Sequence, residues 1–108
     1  MAQNFRRYTS NNVGTSAATL FTADSYDTVV GISVANVTTF SVIASVYINN
    51  GTDDIYLVKD APIPAGSALQ VLDGGAKFVV QNNDALKVIS DTASSLDVWV
   101  STVDAIST

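Results

Sequence analysis

Two carboxylates stand side by side at Asp53-Asp54, shortly after Asn49-Asn50, and together these residues offer the kind of oxygen ligands a calcium ion takes. Calcium takes about six to eight oxygens, however, and the spacing here matches no EF-hand loop. Asn, Gly and Asp are also what a tight turn requires, because they tolerate positive φ. Asn49-Asn50-Gly51-Thr52-Asp53 therefore reads as a polar hairpin tip, with Asp53 and Asp54 at its far side, and no metal is expected. Gly74-Gly75 is likewise a turn, since no helix follows to present its N-terminus to a phosphate.

Little else in the chain could carry a reaction. It contains no His, no Cys and no Glu, so a hydrolytic triad would have to draw its base from Lys or Asp. Serines and threonines are plentiful but fall at alternating positions of extended segments, where they form the wet face of a sheet. Asn36-Val37-Thr38 and Asn50-Gly51-Thr52 match the glycosylation pattern, which carries no weight without a secretory signal. The expectation is a protein that is not an enzyme, holds no cofactor and works by its surface.

Charge narrows the partners. Ten acidic residues, all Asp, against five Lys plus Arg leave a net charge of −5. Nucleic acid and anionic membrane surfaces need clustered cations and are excluded as partners. Arg6-Arg7 is the one basic pair. No apolar run approaches transmembrane length. With 47% hydrophobic and only 14% charged residues over 108 positions, the chain is expected to form one domain, residues 1–108, around a single core. Without cysteine, stability must come from packing or association.

The elements that position these groups are extended. Apolar runs of strand length recur from Phe5 to Ile106, separated by Gly, Pro, Asn or Asp, the pattern of an all-β chain. Predicted strands are Phe5–Ser10, ended by Asn11-Asn12-Val13-Gly14, then Ala17–Phe21 and Asp27–Ala35, with Val30, Ile32 and Val34 sharing one face. Phe40–Asn49 places Phe40, Val42, Ala44, Val46 and Ile48 inward, and Ile55–Lys59 returns as its hairpin partner. Pro62 and Pro64 keep their segment at a sheet edge or between sheets. Ser67–Leu72 closes at Asp73-Gly74-Gly75; Lys77–Val80, Ala85–Ser90 and Ser95–Val103 follow. About seven to nine antiparallel strands make an all-β, two-sheet sandwich of jelly-roll type, with Val42, Val46, Ile48, Leu57, Leu69, Val88 and Val98 buried between the sheets.

If those residues face inward, Ile43, Tyr47 and Trp99 face outward, and large apolar groups on an outer sheet face mark a partner surface. A second contact is expected from the segment Ala2–Tyr8: Phe5 and Tyr8 are apolar, Arg6 and Arg7 can bond carboxylates on an acidic neighbour, and the segment is expected to be dispensable for folding.

The string Tyr56-Leu57-Val58-Lys59-Asp60-Ala61-Pro62-Ile63-Pro64-Ala65-Gly66-Ser67-Ala68-Leu69, the Asn83-Asp84 turn, the last strand ending Val98-Trp99-Val100-Ser101, and the opening Arg6-Arg7-Tyr8-Thr9 with Asn12-Val13-Gly14-Thr15 together resemble small structural proteins in the virions of tailed bacteriophages. Nearly the whole chain takes part. The resemblance implies a β-sandwich virion component without catalytic residues, held by other copies of itself, as a trimer, and by the major capsid protein or tail proteins. Within that class a capsid decoration or cement protein is favoured over a tail, neck or fibre module, which would carry coiled-coil or repetitive segments. A carbohydrate-binding sandwich recognising a host surface is the remaining alternative; the short loops, and aromatics lying inside strands, weigh against it.

Overall fold

A computed structural model describes residues 4–23, 27–71 and 78–104. They form nine strands: β1 (Asn4–Val13), β2 (Ala18–Thr22), β3 (Asp27–Asn36), β4 (Val42–Asn49), β5 (Asp54–Ile63), β6 (Ala68–Gln70), β7 (Phe78–Val80), β8 (Ala85–Ser90) and β9 (Leu96–Asp104). One sheet has the order β1-β9-β3-β6 with β7 also on β3, the other β2-β8-β4-β5. Every pairing is antiparallel. Most connections cross from one sheet to the other, which is the jelly-roll arrangement of a sandwich. The expected turn at Asp73-Gly74-Gly75 lies outside the described residues.

The core lies where alternation aims apolar side chains inward. Val29, Ile32, Val34, Val98 and Val100 from one sheet meet Val42, Ala44, Val46, Leu86 and Val88 from the other, all buried. Leu57, Leu69 and Ile48, expected in the core, are only partly buried and pack against its rim. Leu57 sits in the outermost strand β5, and Leu69 in the short edge strand β6.

Bulges explain several departures from simple alternation. Between Val29↔Thr102 and Gly31↔Ser101 the register of β3 on β9 shifts at Val30. An inserted residue flips the faces, so Val29 is buried and Val30 lies outside, contrary to the expected face. Val13, read as part of a turn, is the buried last residue of β1, which continues through a bulge at Asn11-Asn12; Asn12 takes φ 55° there. Phe40, expected inside, is 54% exposed, because β4 begins only at Val42.

The cause at Phe40 is Asn36. Its buried side chain donates to the Phe40 and Ile63 carbonyls at 2.8 and 2.9 Å and accepts from the Thr38 amide and hydroxyl at 2.8 and 2.7 Å. Residues 37–41 are thereby folded into a bend. Asn36 is thus consumed as a structural hub, although it belongs to a glycosylation pattern.

β5 is an edge strand, as Pro62 requires. Two register shifts against β4 are confined to it, with Asp60 at φ 55° and its amide donating to Ser45 Oγ at 2.9 Å. Bulges, Pro62 and Lys59 together discourage further strand addition at that edge.

Candidate functional site: the outer face of the β1-β9-β3 sheet

Register places residues in rows across the outer face of this sheet. Phe5 pairs with Val103, Val103 with Thr28, and Thr28 with Val79. Phe5 is 75% and Val79 60% exposed, and the bulged Val30 adjoins them at 37%. Phe5, Val103 and Val79, with Val30 beside them, make the row a mainly apolar stripe across four strands at one end of the sheet, with Thr28 its polar member. Exposed apolar groups arranged contiguously, rather than singly, are the signature of a contact surface.

Further along the same face the character changes. Thr9 pairs with Trp99 and Trp99 with Ser33, while Asp97 pairs with Ala35. Small residues on β3 leave a hollow beside the indole, an open depression of about 530 Å³ whose lining includes Arg7, Thr9, Asn11, Ser33, Asp97 and Trp99. Trp99 is half exposed, and the Arg7 guanidinium carbon lies 5.3 Å from its ring centroid. An arginine in that position is attracted by the ring quadrupole. Asp97 Oδ1 accepts the Asn12 amide at 3.1 Å, and Gln70 Nε2 donates to Ser33 Oγ at 3.2 Å.

The opposite sheet presents a second exposed surface. Ile43 is 40% exposed. Tyr47, expected outward, lies apart from the core cluster but is covered: its ring centroid is 5.1 Å from that of Tyr56 on the neighbouring strand. Burial, with the nearby charge of Asp54 and the Tyr56 phenol adding to it, pushes the Tyr47 hydroxyl above the usual tyrosine pKa. The exposed aromatic is Tyr56 instead, with Lys59 Nζ 5.0 Å from its centroid. At the hairpin tip Asn49 Nδ2 donates to Asp54 Oδ1 at 2.7 Å, and Asn50 Oδ1 accepts the Thr52 and Asp53 amides. These oxygens serve the turn.

No family model matches the sequence, and no curated protein does. Solved structures do. The chain is similar to a protein of Bacillus endospore appendages, described as disulfide-linked pili, with a TM-score of 0.57 at 16% identity over 94% of this chain and 84% of that one. It is also similar to a pentameric capsid protein from metagenomic phage sequences, with a TM-score of 0.50 at 15% identity over 91% of this chain and 60% of that one. The likeness is one of fold.

Of the expected interface residues, Phe5, Arg7 and Trp99 share one outer face, and Ile43 lies on the other sheet. Arg6 and Tyr8 alternate with Phe5 and Arg7 on the other side of β1, where Arg6 is exposed at the end of the sheet and Tyr8 is half-buried. Tyr8 does not reach outward as expected: its ring stacks on Phe21 and packs against the core. Sequence reasoning missed Val79 and Val103, which join Phe5 only through a register linking the two ends of the chain, and Val30, whose exposure depends on a bulge. The signal for Asp97 and Ser33 was present in the period-2 alternation around Trp99, which puts Asp97 on the Trp99 side of β9.

Proposed function

We propose that this chain is a non-enzymatic structural subunit of a tailed-bacteriophage virion, a capsid decoration or cement protein that acts through protein–protein contacts with copies of itself and with the major capsid protein. The observation that carries the reading is the apolar stripe Phe5-Val103-Thr28-Val79, exposed at both ends on a molecule with no disulfide to support it. Such a surface is stabilised by being covered. Ile43 on the opposite sheet extends the proposed contacts. The shared fold with a capsid protein and an appendage protein supports the assembly role. Because the chain has no cysteine, the proposed assembly is held without disulfides, and a closed trimer is the proposed state.

Static light scattering across a concentration series tests the self-association, with Phe5→Asp and Val79→Asp as variants. The expected result is an oligomer in the wild type that either charge dissociates without loss of β-sheet circular dichroism. A wild type that stays monomeric at high concentration overturns self-association. A reconstruction of the particle then separates shell from tail: density on the shell supports the cement role, density on the tail or neck replaces it.

A further inference from the structure

We infer that the hollow beside Trp99 is a binding site for a neutral saccharide, distinct from the apolar stripe at the other end of the same sheet face. Three polar groups around the indole are held in place, two of them from outside the hollow. The Asn12 amide, delivered by the β1 bulge, fixes the Asp97 carboxylate at 3.1 Å; Gln70 fixes the Ser33 hydroxyl at 3.2 Å; the indole itself positions the Arg7 guanidinium at 5.3 Å. Groups pre-positioned in this way lose little freedom when a ligand arrives. Arg7 has no hydrogen-bond acceptor among the described residues, which leaves its fork of donors for a ligand.

The chemistry of the lining selects the ligand class. Arg7 donates only, Asp97 accepts only, and Thr9, Asn11 and Ser33 do both. Donors and acceptors interleaved around one aromatic plate match a ring of hydroxyls, each of which donates and accepts, with an apolar C–H face for the exposed part of the indole that Arg7 does not cover. Asp97 and the net charge of −5 act against acidic sugars, nucleotides and phosphate. An added peptide strand would pair in the plane of the sheet at the outer edge of β1, not over the hollow, which sits on the face formed by β1, β9 and β3.

Trp99 is the only tryptophan in the sequence, so its emission reports on this hollow alone. The test screens the purified chain and its Trp99→Ala variant on an array of neutral glycans, then titrates the best neutral oligosaccharide while following Trp99 fluorescence. The expected result is array binding that the variant loses and a saturable spectral shift with a Kd of about 10 µM to 1 mM. Asp97→Asn and Arg7→Ala should each weaken binding about tenfold or more with the circular dichroism unchanged, whereas Phe5→Asp should leave it intact. No neutral glycan retained by the wild type above the Trp99→Ala background overturns the proposal. So does a spectral shift that follows protein concentration alone, which would assign the hollow to a second copy. Light scattering reads the assembly role separately, so either reading can fail without the other.

Discussion

The ring of Tyr8 lies 4.5 Å from that of Phe21, with 15° between their planes, and joins β1 of one sheet to β2 of the other. The N-terminal strand is therefore closed into the sandwich from its inner side as well as being paired with β9 from Asn4↔Asp104 to Ser10↔Val98 without a break. A detachable arm would have neither contact. Tyr8→Ala removes a half-buried aromatic and its stacking on Phe21 and is expected to cost about 2 kcal/mol, lowering Tm by roughly 10 °C. Deleting residues 2–8 should unfold the chain rather than merely release it from a partner. Circular dichroism of both variants checks this, and a folded deletion variant would restore the reading of the segment as an arm.

Asn36 shows how one side chain shapes a corner. With both amide hydrogens and its oxygen engaged, and 2% of its surface exposed, it holds the 37–41 bend against the end of β5. Replacing it by Ala removes the buried bond to the Ile63 carbonyl, at a cost of about 1–3 kcal/mol, and one of the two donors to the Phe40 carbonyl, which keeps the Thr38 hydroxyl. Asn36→Ala should destabilise by about 2 kcal/mol, read as a lower urea midpoint with the slope m unchanged. The same burial predicts that Asn36 is refractory to glycosylation in the folded protein, while Asn50 is exposed.

Much of the fold was legible because most strands keep the period of an unbroken pleat. Ala85–Ser90 and Leu96–Val100 run without a register break on their inner partners, so the alternation of Leu86 and Val88, and of Leu96, Val98 and Val100, reads directly as burial. The failures sit where an extra residue changes the phase. Val30 and Asn12 are bulged, and nothing in their local composition distinguishes a bulge from a regular pair. Tyr47 was assigned to its correct face, but its cover by Tyr56 depends on which strand lies beside β4 and in what register. The hollow at Trp99 was partly legible, since Trp99 and Asp97 alternate on one strand, whereas Arg7 and Ser33 reach them through pairings that link positions far apart in sequence.

Titration should mark two places on the second sheet. The Asp91 carboxylate is held below the usual range, first by the Ile43 amide at 3.0 Å and then by the Thr92 hydroxyl at 2.9 Å. A depressed folded pKa contributes stability that is present above the ordinary value of about 3.9 and is lost as pH falls through the lower folded value. Asp91→Asn should flatten the acid limb of a Tm-against-pH curve. Asp91 is exposed, so the difference should shrink in high salt. Tyr47 works in the opposite sense: its raised pKa contributes stability that is present below about pH 10 and is lost as pH rises through the higher folded value. Of the four tyrosines in the sequence, Tyr47 should ionise late in a phenolate absorbance titration, and Tyr47→Phe should remove that late phase.

Thr102 and Ser95 are both buried hydroxyls, and their surroundings predict opposite responses to losing them. Ser95 Oγ donates to the Thr92 carbonyl at 2.7 Å and lies 2.6 Å from Ser90 Oγ, so Ser95→Ala strands partners and should destabilise by about 1–2 kcal/mol. Thr102 lies on the inner face of β9 opposite Val29, fully buried, and its Oγ1 has no hydrogen-bond partner among the described residues. A hydroxyl that gave up water and gained nothing in return costs free energy in the folded state. Thr102→Val keeps the branched shape and the strand preference while removing that cost, and should stabilise by about 1 kcal/mol, raising Tm by roughly 4 °C. Thermal melts of the two variants beside the wild type give the answer. A Thr102→Val melt below the wild type would mean that the hydroxyl does have a partner and that the inner face of β9 carries a polar contact as essential as the one at Ser95.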